Sequence, residues 1–239
     1  MSSFGVSIRG SSRQLILDQQ NGVLHVVRRG TFSIDSGATG GRMFVGFSSA
    51  IQTQEKPHVF AQIRPFAGPS GAVLLAYDVR MEGGPGNWTG FSFAALGNVN
   101  GTTSWRYVAS LSNPPASSAR FGMRLRRQSD NQVLFDTGYP CMRYLFATRA
   151  WNVSNRREGA TRYWAWDTAV AYSVRADAYV MLNTIVTPTD GIAGFDAVYV
   201  PALYVYQNRA RFTMQITGEN GSNPNYIQPV IYAMPTDEW

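Results

Sequence analysis

Cysteine and lysine are nearly missing from this 239-residue chain: Cys141 and Lys56 are the only ones. One cysteine excludes an intramolecular disulfide and any cysteine-rich zinc site, and it fits assembly in a reducing cytoplasm. Histidine is almost as scarce. His25 and His58 stand apart, without HxH or HExxH spacing, so they make a poor metal site. Charged residues reach only 15% of the chain, too few for a disordered polyelectrolyte. No apolar run approaches the length of about 18 residues that a membrane helix needs, so membrane insertion is not expected. The start, Met1-Ser2-Ser3-Phe4, lacks a basic segment followed by an apolar one, so no signal peptide is expected. Helical periodicity is also lacking: no convincing window of ten or so residues carries it.

What is present is arginine, aromatics and turn formers. The formal charge of +6 rests almost wholly on arginine. Its only adjacent pairs are Arg28-Arg29, Arg126-Arg127 and Arg156-Arg157, scattered rather than drawn into a stripe, so nucleic acid is not the expected partner. Aromatics make up 13%, and 23 glycines and 12 prolines join many Ser, Thr and Asn residues. That mixture suits short strands with frequent reversals. Two-residue alternation places Val73, Leu75, Tyr77 and Val79 on one face. It does the same for Phe91, Phe93 and Ala95, for Phe212, Met214 and Ile216, and for Trp164, Trp166, Val170, Tyr172 and Val174. Turn clusters at Gly83-Gly84-Pro85-Gly86, Asn98 to Thr103, Asn113 to Ser118 and Gly218 to Pro224 punctuate these segments.

The chain repeats itself. Phe4-Gly5-Val6-Ser7-Ile8-Arg9 returns as Phe121-Gly122-Met123-Arg124-Leu125-Arg126, and Gln14-Leu15-Ile16-Leu17-Asp18 returns as Gln132-Val133-Leu134-Phe135-Asp136. The offsets are 121 − 4 = 117 and 136 − 18 = 118, so one inserted turn residue separates the copies. Each copy reads as a hairpin, with Val6 and Ile8, or Met123 and Leu125, pointing inward. Fainter echoes link His58-Val59-Phe60-Ala61 to Tyr179-Val180-Met181-Leu182, and Trp105 to Ala109 with Tyr226 to Val230. The expected fold is all-β: two tandem related β-sandwich-like domains over residues 1–115 and 116–239, divided near Pro114-Pro115. The alternative is one large sandwich.

Chemistry is harder to find. His25 sits inside an apolar strand, His58 begins another, and Cys141 reads as a small hydrophobe. No Gly-x-Ser-x-Gly elbow occurs, and Gly37 to Arg42 lacks the ending of a phosphate-binding loop. Asp18 and Asp136 match each other across the copies, which points to turn hydrogen bonds rather than a catalytic pair. No enzyme activity, catalytic residue, metal or cofactor is expected. The candidate contacts are aromatics with nearby guanidinium groups: Trp88 beside the Gly-Gly-Pro-Gly turn, and Trp151, Arg156, Arg157 and Tyr163. They would serve a protein interface or a glycan.

The opening Phe4-Gly5-Val6-Ser7-Ile8-Arg9, turn, Leu15-Ile16-Leu17-Asp18 resembles the N-terminal pattern of small tail-tip and fibre-associated virion proteins of long-tailed bacteriophages and prophages. The likeness covers about the first thirty residues and their echo at Phe121 to Asp136. It implies a non-enzymatic virion protein of the tail tip, baseplate or tail fibre, folded in the host bacterial cytoplasm. Its partners would be other tail proteins and further copies of itself, with a host receptor or glycan as a further contact. One departure is the second unit, since the shorter members would carry one. The alternatives are a receptor- or carbohydrate-binding module of the tail, and a capsid decoration or head-completion protein.

Overall fold

The computed structural model describes residues 8–9, 15–17, 23–34, 42–62, 75–96, 103–148, 151–158, 161–168, 178–183, 202–206, 209–217 and 230–238. Among them every regular element is a strand. The N-terminal half carries β1 (Ile8–Arg9), β2 (Leu15–Leu17), β3 (His25–Ile34), β4 (Arg42–Ile51), β5 (His58–Gln62), β6 (Leu75–Gly84), β7 (Asn87–Leu96) and β8 (Thr103–Leu111). The C-terminal half carries β9 (Arg124–Arg126), β10 (Val133–Asp136), β11 (Met142–Thr148), β12 (Trp151–Glu158), β13 (Thr161–Thr168), β14 (Tyr179–Met181), β15 (Ala202–Tyr206), β16 (Arg209–Thr217) and β17 (Val230–Pro235). Parts of several sequence readings lie outside the described residues: most of Phe4 to Asp18, the tract Gly37 to Gly41, Val170 to Val174, and Tyr226 to Pro229.

Besides the two-stranded pairs β1–β2 and β9–β10, two antiparallel sheets form, in the orders β11-β17-β14-β5-β8-β3 and β12-β13-β16-β15-β6-β7-β4. They pack face to face. Inward residues of the first, among them Val59, Ala61, Tyr107, Leu111, Val180 and Tyr232, share one buried cluster with Val45, Ile51, Val79, Trp88, Phe91 and Phe93 of the second. The arrangement follows from the pattern that alternation predicts: Phe91 and Phe93, two residues apart, are both fully buried. Phe91 meets the Tyr107 ring edge-on at 5.3 Å, a geometry that aromatic quadrupoles favour. Polar ties cross the layers as well. The Tyr107 hydroxyl donates to the Gly46 carbonyl at 3.2 Å, and Arg28 Nε donates to the Ser49 carbonyl at 3.0 Å.

The six-stranded sheet curls. If it were flat, its outer strands would lie about 24 Å apart at the usual strand spacing. Instead the start of β3 meets the start of β11. Val26 N–H donates to the Pro140 carbonyl at 2.8 Å and Met142 N–H to the Leu24 carbonyl at 2.7 Å, around an antiparallel bridge between His25 and Cys141. The concave face encloses a second buried cluster of Leu24, Val26, Phe60, Val108, Met142, Tyr179, Met181 and Ala233. Edges that close on one another leave fewer unpaired backbone groups for a stray strand to join.

Strand order repeats the internal duplication. Read from one edge, the six-stranded sheet runs β3-β8-β5; read from the other, β11-β17-β14. The seven-stranded sheet reads β4-β7-β6 from one side and, after the extra edge strand β12, β13-β16-β15 from the other. Even an irregularity recurs. The β3–β8 register slips between Val26 and Arg28, and the β11–β17 register slips between Tyr144 and Phe146, 118 residues later in each case (144 − 26, 146 − 28). The two halves thus lie side by side in both sheets and meet edge to edge, through β5 and β14 in one and β6 and β15 in the other.

One inward assignment is corrected. Met123 is 46% exposed, and Phe121 before it is 92% exposed. The β9–β10 pair has only two strands, and it turns its second strand, through buried Val133 and Leu134, toward the body. Among the described residues no third strand pairs with β9 on its other side.

Candidate functional site

The second copy of the repeated hairpin is held by a dense set of polar contacts. Asp136 ends β10 and its side chain is 3% exposed. Its Oδ2 accepts from Ser117 N–H at 2.9 Å and from Arg124 Nε at 2.6 Å; its Oδ1 accepts from Ser117 Oγ at 2.8 Å and Gly138 N–H at 2.9 Å. Burial alone would raise the carboxyl pKa. The Ser117 and Gly138 amides, with the Arg124 and Ser117 side chains, overcome it and hold the group well below the usual carboxylate range. A carboxylate so fully engaged has no lone pair to spare for a substrate. It is a structural clamp, as its repetition at a hairpin end suggests.

On the body side, Asp136 N–H donates to His25 Nε2 at 3.1 Å. His25 is fully buried against the Phe135 and Tyr139 rings, and burial lowers its pKa, opposed by weaker contributions that include Asp136 and Glu55. The neutral ring therefore works as an acceptor that fastens the hairpin to β3. The segment between the halves is clamped too. Glu55 Oε1 accepts from Ser112 N–H and Glu55 Oε2 from Asn113 N–H, both at 2.8 Å, and Pro114 is buried.

Gly122 shows why the repeat carries Phe-Gly. Its φ is +129°, and a Cβ there would collide with Thr137 Oγ1, which accepts from Met123 N–H at 2.9 Å. The chain bends sharply at this glycine and leaves the Phe121 ring held out in solvent. A large apolar ring presented on an anchored hairpin has the character of an interface anchor. The motif itself is plain in the sequence, but the exposure of its Phe is not. Exposure of Phe121 depends on the absence of a covering layer, which no local pattern reveals.

The sequence-predicted contacts fare differently. Trp88 is 8% exposed and belongs to the core between the sheets, with its indole N–H donating to the Thr53 carbonyl at 3.0 Å. It is not a contact tip. Register sets it opposite Ile51 at the end of β4, with which it shares the core cluster. Trp151, Arg156 and Arg157 lie on β12, at the edge of the seven-stranded sheet, and Tyr163 lies on β13. Backbone register places Arg156 opposite Tyr163, Arg157 opposite Arg162 and Trp151 opposite Thr168. Arg156 and Tyr163 thus form one cross-strand position, while Arg157 and Trp151 have the opposite parity.

The other reactive side chains are spread apart. Cys141 is half-buried, and burial pushes its thiol up to about 11, away from the thiolate form that nucleophiles use. His58 begins β5, its pKa lowered by burial and partly restored by Glu55. Among the described residues no group of three His, Cys, Asp or Glu side chains is placed to hold a metal ion. An open cleft of ≈ 270 Å³ lies beside Arg29, Arg106, Tyr179 and Glu238. It is crossed by ties within the chain, for Arg29 pairs with Asp237 at 2.5 Å and the Tyr179 hydroxyl donates to Glu238 Oε2 at 3.0 Å. No family model, curated protein or solved structure matches this chain.

Proposed function

We propose that this chain is a non-enzymatic structural protein of a bacteriophage virion, built into the tail tip, baseplate or tail fibre in several copies and supporting host attachment. The observation that carries the reading is the hairpin motif. It resembles that of tail-associated proteins, occurs twice, and in its second copy holds the Phe121 ring 92% exposed above a buried Asp136 clamp. A rigid base with a projecting apolar side chain suits docking into a pocket of a neighbouring tail protein, where such an anchor would carry much of the contact energy. In the six-stranded sheet the meeting of β3 with the start of β11 agrees with a protein that contacts its neighbours through chosen surfaces rather than by strand addition there.

Mass spectrometry of purified particles from the phage or prophage that encodes the chain tests this directly. The chain should be present at a fixed stoichiometry, and a Phe121→Ser variant should fold normally yet enter particles at least tenfold less well. Particles that lack the wild-type chain would end the proposal.

A further inference from the structure

The outer face of the seven-stranded sheet carries an exposed aromatic ring. Phe44 lies on edge strand β4 and is 61% exposed. Across the sheet it faces Ser92 of β7, which in turn faces Arg80 of β6. One row further along, Gly46 faces Gly90, and Gly90 faces Glu82. The ring is spread over these two glycines: a Cβ added at Gly90 would lie 2.9 Å from Phe44 Cε2, and one added at Gly46 3.4 Å from Cε1. Bare backbone beneath the ring gives its outer atoms room against the sheet while the residue stays 61% exposed.

Beside the ring runs a polar chain. Arg42 Nη1 donates to Ser92 Oγ at 2.7 Å, and Ser92 Oγ donates to Glu82 Oε1. Ser92 is buried, so it fixes the guanidinium and the carboxylate in place, while exposed Arg80 of β6 lies opposite it in register. The apolar surface is a single ring, too small for the core of a protein interface. Its frame holds groups of both charge signs, so guanidinium donors and a carboxylate acceptor stand beside the apolar ring. Hydroxyls can donate to Glu82 and accept from Arg42.

We infer that Phe44, framed by Arg42, Arg80, Glu82 and Ser92, is a binding platform for a neutral hexopyranose. One face of the sugar ring, with its C–H groups, stacks on Phe44, and adjacent hydroxyls bridge Arg42 and Glu82. Stacking supplies the affinity and the fixed polar pair selects the hydroxyl geometry. The site is remote in sequence from the Phe121 hairpin and does not depend on the assembly role.

A glycan array of neutral glucose, galactose, mannose and N-acetylhexosamine oligosaccharides, probed with the full-length chain, tests the assignment. Affinity electrophoresis through the matching polysaccharide then gives relative affinities. Binding should be found for at least one neutral hexopyranose, weakened at least tenfold in Phe44→Leu, several-fold in Glu82→Gln, and unchanged in Phe121→Ser. Leucine still covers Gly46 and Gly90, so the first variant removes the aromatic face without baring the sheet; near-ultraviolet circular dichroism confirms the fold. Three outcomes overturn the platform: no neutral glycan retained, binding that survives Phe44→Leu in the folded protein, or Phe44-dependent binding of single-stranded oligonucleotides in place of glycans. Absence from virions would leave this result standing, and loss of glycan binding would leave the virion proposal standing.

Discussion

Two buried polar residues do unlike work at one junction. Asp136 is charged because four donors converge on it, and His25 is neutral because burial outweighs its acidic neighbours. Asp136→Ala strips the acceptor from two amides, a serine and a guanidinium at once. It should lower the unfolding free energy by about 3 kcal/mol, the range for breaking a buried ion pair, as read by urea denaturation at pH 7. The two groups also separate by pH. His25 and His58 both have pKa values below the ordinary 6.5, so below about pH 6.5 the unfolded chain takes up protons that the folded chain refuses. Stability should therefore fall from pH 6.5 toward pH 5. The Asp136 contribution is lost only below the ordinary carboxyl value of 3.8. Urea midpoints at pH 7, 6 and 5 should show a decline that is shallower in His25→Gln. A wild-type protein with a flat profile would contradict the burial of both rings.

Elements are shaped by a few glycines with distinct tasks. In the β6–β7 hairpin, Pro85-Gly86 occupies the central turn positions with φ +85° at Gly86, as a type II turn requires. Gly83, at φ +89°, absorbs the adjoining register slip. Gly30 of β3 serves packing instead: a Cβ there would sit 2.6 Å from the Tyr107 ring, which is buried and tied to Gly46. Gly30→Ala should therefore cost about 1–3 kcal/mol by overpacking, seen as a lower Tm in calorimetry. Gly84→Ala, with nothing within 4 Å, is the matched control and should leave Tm nearly unchanged. The shared bulge of β3 and β11 belongs to this scale too. It bends both strands at equivalent points, and both curve to the meeting of Leu24 with Met142.

At the scale of the whole molecule, the two halves share their interior. Phe60 and Val108 of one are enclosed with Tyr179, Met181 and Ala233 of the other, and β14 pairs along its length with β5. Expressed separately, residues 1–115 and 116–239 should each be aggregation-prone, since each bares a central strand and half of two clusters. Co-expressed, the fragments should form a stable 1:1 complex with native-like circular dichroism. Two soluble, folded monomers that ignore one another would show that the shared clusters contribute little.

Much of this was legible in residue order. Alternation and turn chemistry mark strands such as β7 and the hairpins around Pro85 and Asp130, because period two and Pro-Gly preferences are local properties. The duplication was readable in Phe4 to Asp18 and Phe121 to Asp136, and His58 to Ala61 and Tyr179 to Leu182 do occupy corresponding strands. Trp88 and Phe44 mark the boundary of such reading. Each is an aromatic residue in an alternating strand near glycine, yet one fills the core at 8% exposure and the other lies open at 61%. Period two separates the two faces of a strand but says nothing about which of them another sheet will cover. That is set by pairings between residues far apart in the chain, such as β5 with β14 and β3 with the start of β11. The sequence by itself determined an all-β chain with a repeated hairpin. Only the tertiary structure decided that the halves merge into two common sheets, which rings are buried, and which stay exposed.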